Sequence, residues 1–128
     1  MKYLGIDYGK KKIGIAMSDD SGRLAFPKDI FLNEGKKTIG KIAEIIEQEK
    51  INDVVIGHST DFGGKDNPIM KEVIKFAGLL KEKTRVHVQF ELEYLSSQES
   101  KRIITGHDDD ARAAAIVLQS FLDKKNSL

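Results

Sequence analysis

The sequence contains no cysteine. This excludes a disulfide framework, a thiolate metal site and a cysteine nucleophile, and it fits a reducing compartment. The sequence also has no apolar run of membrane-spanning length, and no charged segment followed by an apolar one opens the chain. We therefore expect a cytoplasmic protein with no membrane partner.

Neither basic nor acidic residues are in excess. The chain has 21 basic and 20 acidic residues and a net charge of +1, so no global field attracts nucleic acid, and a binding surface must come from local clustering. The three histidines are far apart in sequence and lack metal-ligand spacing, which argues against a zinc site. No nucleophilic-serine elbow and no phosphate-cradling Walker loop is found.

The length of the chain limits its organisation. At 128 residues, with 40% hydrophobic and 32% charged residues, it can form one globular domain with a substantial core but not two domains. We find no repeat, low-complexity tract or linker. Residues 1–128 are therefore predicted to form a single domain.

Hydrophobic periodicity predicts the order of the elements. Short loops between the first three strands indicate an antiparallel meander, in which Pro27 makes the third strand an edge or bulged strand. Later strands follow helices, which favours parallel crossovers. The predicted strands cover residues 2–8, 11–18, 23–31, 51–57 and 85–90, and the predicted helices cover 33–50, 68–83, 96–104 and a final segment from 108–110 onward. The fold class is therefore α/β, with a five-stranded mixed sheet and helices on both faces.

An aspartate ends the first strand, in the stretch KYLGIDYGKKKIGIAMSD. Asp is depleted in strands, so Asp7 has little local reason to be there. Gly5 and Gly14 leave room beside it for a backbone, a ligand or a helix. The alternative is that Asp7 only ends the strand by bonding to the turn.

Further carboxylates are expected at the same edge of the sheet. Glu91 and Glu93 follow the last strand, and the final helix begins in three aspartates at 108–110. Together with Asp7 they could bind Mg²⁺, which prefers oxygen ligands and serves in phosphodiester hydrolysis. Alternatively, the aspartates only favour a helix N-terminus and the glutamates are solvated.

Two terminal motifs resemble one known family. The opening LGIDYGKKKIGIAMSD and the closing DARAAAIVLQSFLD are similar to the signatures of the YqgF-type family, known as Holliday junction resolvases and pre-16S rRNA nucleases. The resemblance spans essentially the whole chain. It implies an RNase H-like fold and a Mg²⁺- or Mn²⁺-dependent hydrolase.

The resemblance also assigns site residues. Asp7 matches the first catalytic aspartate, Glu93 the catalytic glutamate and Asp110 the last catalytic aspartate, so these three are the expected catalytic and metal-binding residues. The middle motif departs from the family pattern, because Leu92 and Tyr94 replace the Asp and Arg that usually flank the glutamate. A lost arginine is a lost phosphate contact, which leaves substrate preference open.

Several polar residues are candidate contacts to a nucleic acid backbone. Each also has a simpler interpretation, as an exposed turn, a strand end or a helix cap. The candidates are Lys10, Lys11, Lys12, His58, Ser59, Ser96 and Ser97. The long polar loop at 58–66, with two adjacent glycines, is either a mobile segment suited to substrate entry or a plain surface connection.

The function that these features favour is Mg²⁺-dependent cleavage of structured nucleic acid, in pre-16S rRNA 5′-end processing, Holliday junction resolution or both. One alternative is a nucleotide-binding module of the actin or sugar-kinase kind, although such proteins need two domains of this type. The other is a non-catalytic RNA-binding assembly protein. We expect a monomer or weak homodimer.

Overall fold

We analysed a computed structural model, which describes residues 1–61, 63–93 and 109–127, with the backbone alone at residue 109. The helix predicted over 96–104 lies outside these residues, as do Ser96 and Ser97. In the part of the chain that the structure describes, no helix is both long and apolar enough to cross a membrane.

In the described part of the chain, five strands form one sheet, and three helices pack on it. The strands are β1 (Tyr3–Tyr8), β2 (Lys12–Ser18), β3 (Ala25–Leu32), β4 (Asp53–His58) and β5 (His87–Leu92), and the helices are α1 (Lys36–Glu49), α2 (Met70–Thr84) and α3 (Asp109–Asn126). The strand order is β3-β2-β1-β4-β5. The predicted five-stranded sheet is confirmed, with Asp7 on its central strand.

The direction of the strands follows from their connections. Short turns join β1, β2 and β3, which pair antiparallel, whereas β1, β4 and β5 are joined through helices and pair parallel. The predicted mixed sheet is therefore confirmed. The carboxyl ends of β1, β4 and β5 all lie at one edge, which we call the upper edge.

The outer strand β3 carries the predicted irregularity. Its register against β2 shifts between Ile15, which faces Asp29, and Ala16, which faces Pro27. Proline cannot donate to a sheet ladder, so it is tolerated at this edge and bulge. The bulge at the same time breaks the flat edge that would otherwise invite pairing with another chain.

Asp19 organises the turn between β2 and β3. Its Oδ1 accepts hydrogen bonds from the backbone N–H of Arg23 at 2.9 Å and of Leu24 at 3.2 Å, and its Oδ2 accepts one from the Ser21 hydroxyl at 2.8 Å. The N–H of Arg23 is the main reason that the pKa of Asp19 is lowered. Residues 19–22 thus form one of the short connections that the predicted antiparallel meander requires.

Apolar side chains cover both faces of the sheet, as strand alternation requires. On one face the sheet packs against α1 and α2, and on the other against α3. The first core contains Leu4, Ile6, Ile15, Ile39, Ile42, Val73 and Leu80. The second contains Tyr3, Ala16, Val55, Ala114, Leu118 and Leu122.

The helix α3 lies very close to the sheet. A Cβ on Gly5 would be 2.8 Å from Leu118 Cβ and 2.9 Å from the Ala114 carbonyl oxygen, so only glycine fits. The helix continues to Asn126, whose side-chain amide donates to the Gly22 carbonyl at 3.0 Å. Residues 124–126 are therefore part of α3, and Asn126 anchors its end to the β2–β3 turn.

Candidate active site

One row of residues crosses the sheet beneath α3 near the upper edge. Ile6 pairs with Ile56, so the next residues, Asp7 and Gly57, lie side by side. Paired residues of neighbouring strands point to the same face, which here is the face covered by α3. We call this set the Asp7 row, and from β3 to β5 it consists of Ile30, Gly14, Asp7, Gly57 and Glu91.

The glycine on the β2 side of Asp7 makes room for the start of α3. A Cβ on Gly14 would overlap the carbonyl group of Asp110 and would lie 2.9 Å from the backbone nitrogen of Ala111. The first turn of α3 therefore rests directly on the strand next to Asp7. This close approach brings Asp110 to the same part of the sheet.

The glycine on the β4 side makes room for Glu93. A Cβ on Gly57 would overlap the Glu93 carboxylate and would be 3.0 Å from its Cδ. The backbone N–H of Glu93 donates to the His58 carbonyl at 3.0 Å, which extends the β4–β5 pairing by one step. The Glu93 carboxylate thus lies over the strand next to Asp7, on the face that Asp7 shares.

Asp7 itself is buried, with 9% of its surface exposed. It lies at the carboxyl end of the central strand, which is where open α/β sheets place their ligands. Glu93 approaches from one side and the start of α3 from the other. Residues far apart in sequence therefore surround one buried carboxylate.

The chemistry of this group suits a hard divalent cation, because the side chains offer carboxylate oxygens. Across residues 1–61, 63–93 and 109–127, however, no three His, Cys, Asp or Glu side chains form a group that could hold a metal ion. The predicted metal set of Asp7, Glu93 and Asp110 therefore stays a prediction. The described geometry places the Glu93 carboxylate over Gly57, on the strand next to Asp7.

Glu91, in β5, and Glu93, directly after it, make different contacts. Glu91 is 6% exposed, and its Oε2 accepts hydrogen bonds from the Ser120 hydroxyl at 2.9 Å and from Lys124 Nζ at 2.7 Å. These contacts fasten α3 to the edge strand β5. Position after the last strand allowed both Glu91 and Glu93, and only the family resemblance selected Glu93; the structure places Glu91 in this ion pair.

Removing the cation that faces Glu91 should destabilise the fold. We expect Lys124→Met to lower the free energy of unfolding by about 1–3 kcal/mol, because a buried carboxylate loses its charged donor. Urea denaturation followed by circular dichroism measures this change. The control is Lys81→Met, which removes an exposed lysine from the last turn of α2. Equal stability of the two variants would show that the ion pair does not hold α3.

The three lysines predicted as nucleic acid contacts lie between β1 and β2. Lys10 and Lys11 are exposed in the turn, and Lys12 is the exposed first residue of β2. The turn follows directly after the carboxyl end of β1, so all three lie near the upper edge. Their binding role stays a prediction.

His58 and Ser59 begin the long loop, and both take part in its internal hydrogen bonds. His58 Nε2 lies 2.7 Å from Asp66 Oδ1, and the side-chain amide of Asn67 donates to the Ser59 hydroxyl. Asp66 and Asn67 precede Pro68 and are residue types that often cap helices, but here both side chains bind the start of the loop. Helix α2 begins without a side-chain cap.

The sheet order, the parallel and antiparallel pairing and the buried aspartate on the central strand define an RNase H-like protein. The fold matches Thermus thermophilus RuvC in complex with a Holliday junction substrate, with a TM-score of 0.64 and 15% identity over 98% of this chain and 96% of that one. It also matches the fowlpox virus Holliday junction resolvase, with a TM-score of 0.58 and 13% identity over 97% and 99%. At these identities the likeness establishes the fold.

Sequence comparison gives the family. The family model described as RuvX, Holliday junction resolvase, matches residues 1–124. A candidate pre-16S rRNA nuclease of Lawsonia intracellularis is 37% identical over 99% of this chain and 96% of its own length. Another, of Bordetella pertussis, is 33% identical over 94% and 92%. The chain belongs to the RuvX family, and it is a hydrolase of the nuclease class.

Proposed function

We propose that this protein cleaves phosphodiester bonds in structured RNA, with the 5′ end of pre-16S rRNA as its substrate. The observation that carries the proposal is the buried carboxylate of Asp7, which lies between Glu93 and the first turn of α3. The names of relatives that match nearly the full chain support the choice of substrate. The absence of cysteine fits an enzyme that works in the cytoplasm.

The positions of three acidic residues support the roles proposed for them. Asp7 and Glu93 would hold a Mg²⁺ or Mn²⁺ ion, with Asp110 as the third acidic group. When bound, such an ion supplies Lewis-acid activation of water and stabilises charge on the phosphate. Asp7 is fixed by the central strand, and Glu93 is placed by the backbone hydrogen bond to His58. Rigid elements of this kind hold catalytic groups more precisely than loops do.

A second candidate substrate is branched DNA. The family model bears the description of a Holliday junction resolvase, and the same acidic group would serve phosphodiester hydrolysis in either nucleic acid. A resolvase must cut two strands, which favours a dimer, whereas processing of one RNA end needs a single copy. We propose a monomer or weak homodimer, and gel filtration at assay concentration distinguishes the two.

Removal of divalent ions should abolish cleavage. We expect the purified protein to shorten an RNA that spans the 5′ leader and body of 16S rRNA in the presence of Mg²⁺ or Mn²⁺. Excess EDTA should stop the reaction, and added metal should restore it, because the bound ion would supply both the activation of water and the stabilisation of charge on the phosphate. Gel electrophoresis of end-labelled RNA measures the rate, and a four-way DNA junction is assayed in parallel.

The outcomes separate the alternatives. Cleavage of the junction but not of the RNA would favour the second substrate. Binding of either nucleic acid without cleavage under any metal condition would indicate a non-catalytic assembly protein. Stabilisation by ATP in a thermal shift assay, with no effect of nucleic acid, would indicate a nucleotide-binding module.

A further inference from the structure

Five exposed lysines lie together where the upper edge of the sheet meets α1. Lys10 and Lys11 are in the turn after β1, and Lys36, Lys37 and Lys41 are in the first half of α1. Because β3 ends at the upper edge, α1 begins there and runs toward the opposite end of the sheet. We call these five residues the lysine ridge. Helix α3 packs on the other face of the sheet and does not cover it.

Asn33 joins the two parts of the ridge. Its side-chain amide donates to the Gly9 carbonyl at 2.9 Å, and its backbone N–H donates to the Lys11 carbonyl at 2.8 Å. The Gly35 N–H donates to Asn33 Oδ1 at 3.3 Å, directly before α1 begins at Lys36. The lysine-bearing turn and the start of α1 are therefore held side by side. Pre-organisation of this kind lowers the entropic cost of binding.

The ridge concentrates positive charge although the chain as a whole carries little. From Asn33 to Lys41 there are three lysines and one acidic residue, Glu34, and the whole chain has a net charge of +1. Within the described ranges of the chain, no lysine of the ridge forms a salt bridge, whereas Lys2 and Lys124 each pair with a glutamate. The ridge is therefore a local cluster of the kind that attracts nucleic acid.

The structure of α1 does not by itself account for these lysines. The macrodipole of a helix favours acidic residues in its first turn and basic residues in its last turn. Helix α1 has neither, and Lys36 and Lys37 stand at its start instead. Lys37 and Lys41 are one turn apart, where like charges destabilise a helix. The lysines therefore lower the stability of the free protein, and a negatively charged partner offsets this effect.

The aromatic side chains near the ridge indicate which form of nucleic acid it suits. Proteins that bind single strands stack the bases on exposed aromatic rings. Among the residues that the structure describes, the rings next to the ridge are Tyr8, which packs on Phe76, and Phe31, whose centroid lies 5.7 Å from Lys41 Nζ. Both rings are only partly exposed. Charges without a stacking surface suit the backbone of a duplex, which they contact without reading bases.

We propose that the lysine ridge binds the double-helical part of the substrate, while the strand to be cleaved continues to Asp7 at the same edge of the sheet. Ligands of open α/β sheets lie beyond the carboxyl ends of the strands, so both parts of the substrate share that edge. This inference rests on the proposed function and adds to it a docking surface on the α1 side. Because the lysines contact only phosphates, RNA and DNA duplexes both bind.

Binding measured without cleavage tests the ridge. A fluorescently labelled blunt RNA hairpin is titrated in EDTA, between about 50 and 200 mM salt, with the wild type and with the double variant Lys36→Gln/Lys37→Gln. We expect roughly tenfold weaker binding at the lower salt, and a slope of log affinity against log salt that falls by about 1–2, because two phosphate contacts are lost. Binding of a single-stranded RNA of equal length should weaken by less than about twofold.

The charge-matched control is Lys81→Gln/Lys83→Gln, which removes two exposed lysines from the last turn of α2. These lysines lie at the end of the sheet opposite Asp7, so the control should bind the hairpin within about twofold of the wild type. Loss of Lys36 and Lys37 should leave the melting temperature unchanged or higher, because cations are unfavourable at a helix start. Loss of the α2 pair should lower it slightly, because cations are favourable at a helix end.

Four results would overturn the proposal. The first is wild-type affinity and salt slope in Lys36→Gln/Lys37→Gln, and the second is an equal loss in the α2 control, which would mean that only net charge matters. The third is an equal loss on the single strand. The fourth is a polyglutamate that displaces the hairpin as well as duplex RNA does, which would indicate an acidic protein partner.

A parallel cleavage assay separates the ridge from the proposed function. If the wild type cleaves RNA and Lys36→Gln/Lys37→Gln binds the hairpin as the wild type does, the docking surface is wrong and the proposed function is retained. If the wild type binds the hairpin through the ridge but cleaves no nucleic acid with any divalent ion, the proposed function is wrong. The ridge is then retained as a duplex-binding surface.

Discussion

Asp7→Asn is expected to lower the rate of phosphodiester cleavage by roughly 100- to 1,000-fold, the usual effect of removing one pre-organised charged group from an active site. Asparagine has nearly the same shape, but its neutral amide is a poor ligand for a divalent ion. The fold should be retained, and the melting temperature should change little or rise, because a buried negative charge near other carboxylates is removed. Initial rates on end-labelled substrate measure the effect.

The control for this variant is Asp20→Asn. Asp20 lies in the turn at the opposite end of the sheet, and its side chain is 91% exposed. Asp20→Asn makes the same chemical change as Asp7→Asn, but it should leave the rate of cleavage at the wild-type value. Asp110→Asn should resemble Asp7→Asn if the third acidic group belongs to the site. Full activity in Asp7→Asn would remove the basis of the proposed function, and full activity in Asp110→Asn would reassign only the third group.

Gly14→Ala is expected to be among the most destabilising single changes in this chain. The added methyl group would overlap the carbonyl of Asp110, and a helix backbone cannot move aside as a flexible side chain can. Overpacking of this kind costs about 1–3 kcal/mol, occasionally more. A loss of that size would lower the melting temperature by roughly 3–15 °C. Differential scanning calorimetry measures this shift.

Two other glycines provide the comparison. Gly57→Ala should lower cleavage far more than stability, because the added methyl group meets only the end of the Glu93 side chain. Gly40→Ala has open space around it in α1 and should raise stability by about 0.5–1 kcal/mol through helix propensity. If all three variants melted at the same temperature, the close contact between α3 and β2 would not exist in solution.

The sequence predicted the sheet well because its signals are local. Asp7 stood out as a carboxylate within an apolar strand. Pro27 indicates an edge or bulged strand by its residue type, and Asp19 forms the hydrogen bonds of its own turn. In the last helix Ala113, Ala114 and Val117 lie at helical spacing from Asp110, and all three are buried. Gly14 indicated a close approach from its residue type alone.

The remaining features depend on partners distant in sequence. Nothing near Glu91 indicates that Ser120 and Lys124 would bind it, so its role could not be predicted, although the family resemblance had selected Glu93 as the catalytic glutamate. Likewise, Asn67 is a residue type that often caps helices, but its side-chain amide donates to the Ser59 hydroxyl at the other end of the loop. In both cases a tertiary contact decided the role of a residue whose local sequence allowed two.

The position of α3 has a consequence for the order of folding. The sheet can begin to form from neighbouring hairpins, but the contact between Gly14 and Asp110 closes a loop that contains about three quarters of the chain. Closing a loop on the order of 100 residues costs about 4 kcal/mol of chain entropy, and such non-local contacts form slowly. We therefore expect partly folded chains to have a native-like β1–β2 hairpin but no assembled acidic site, so that nuclease activity appears only with the last docking step.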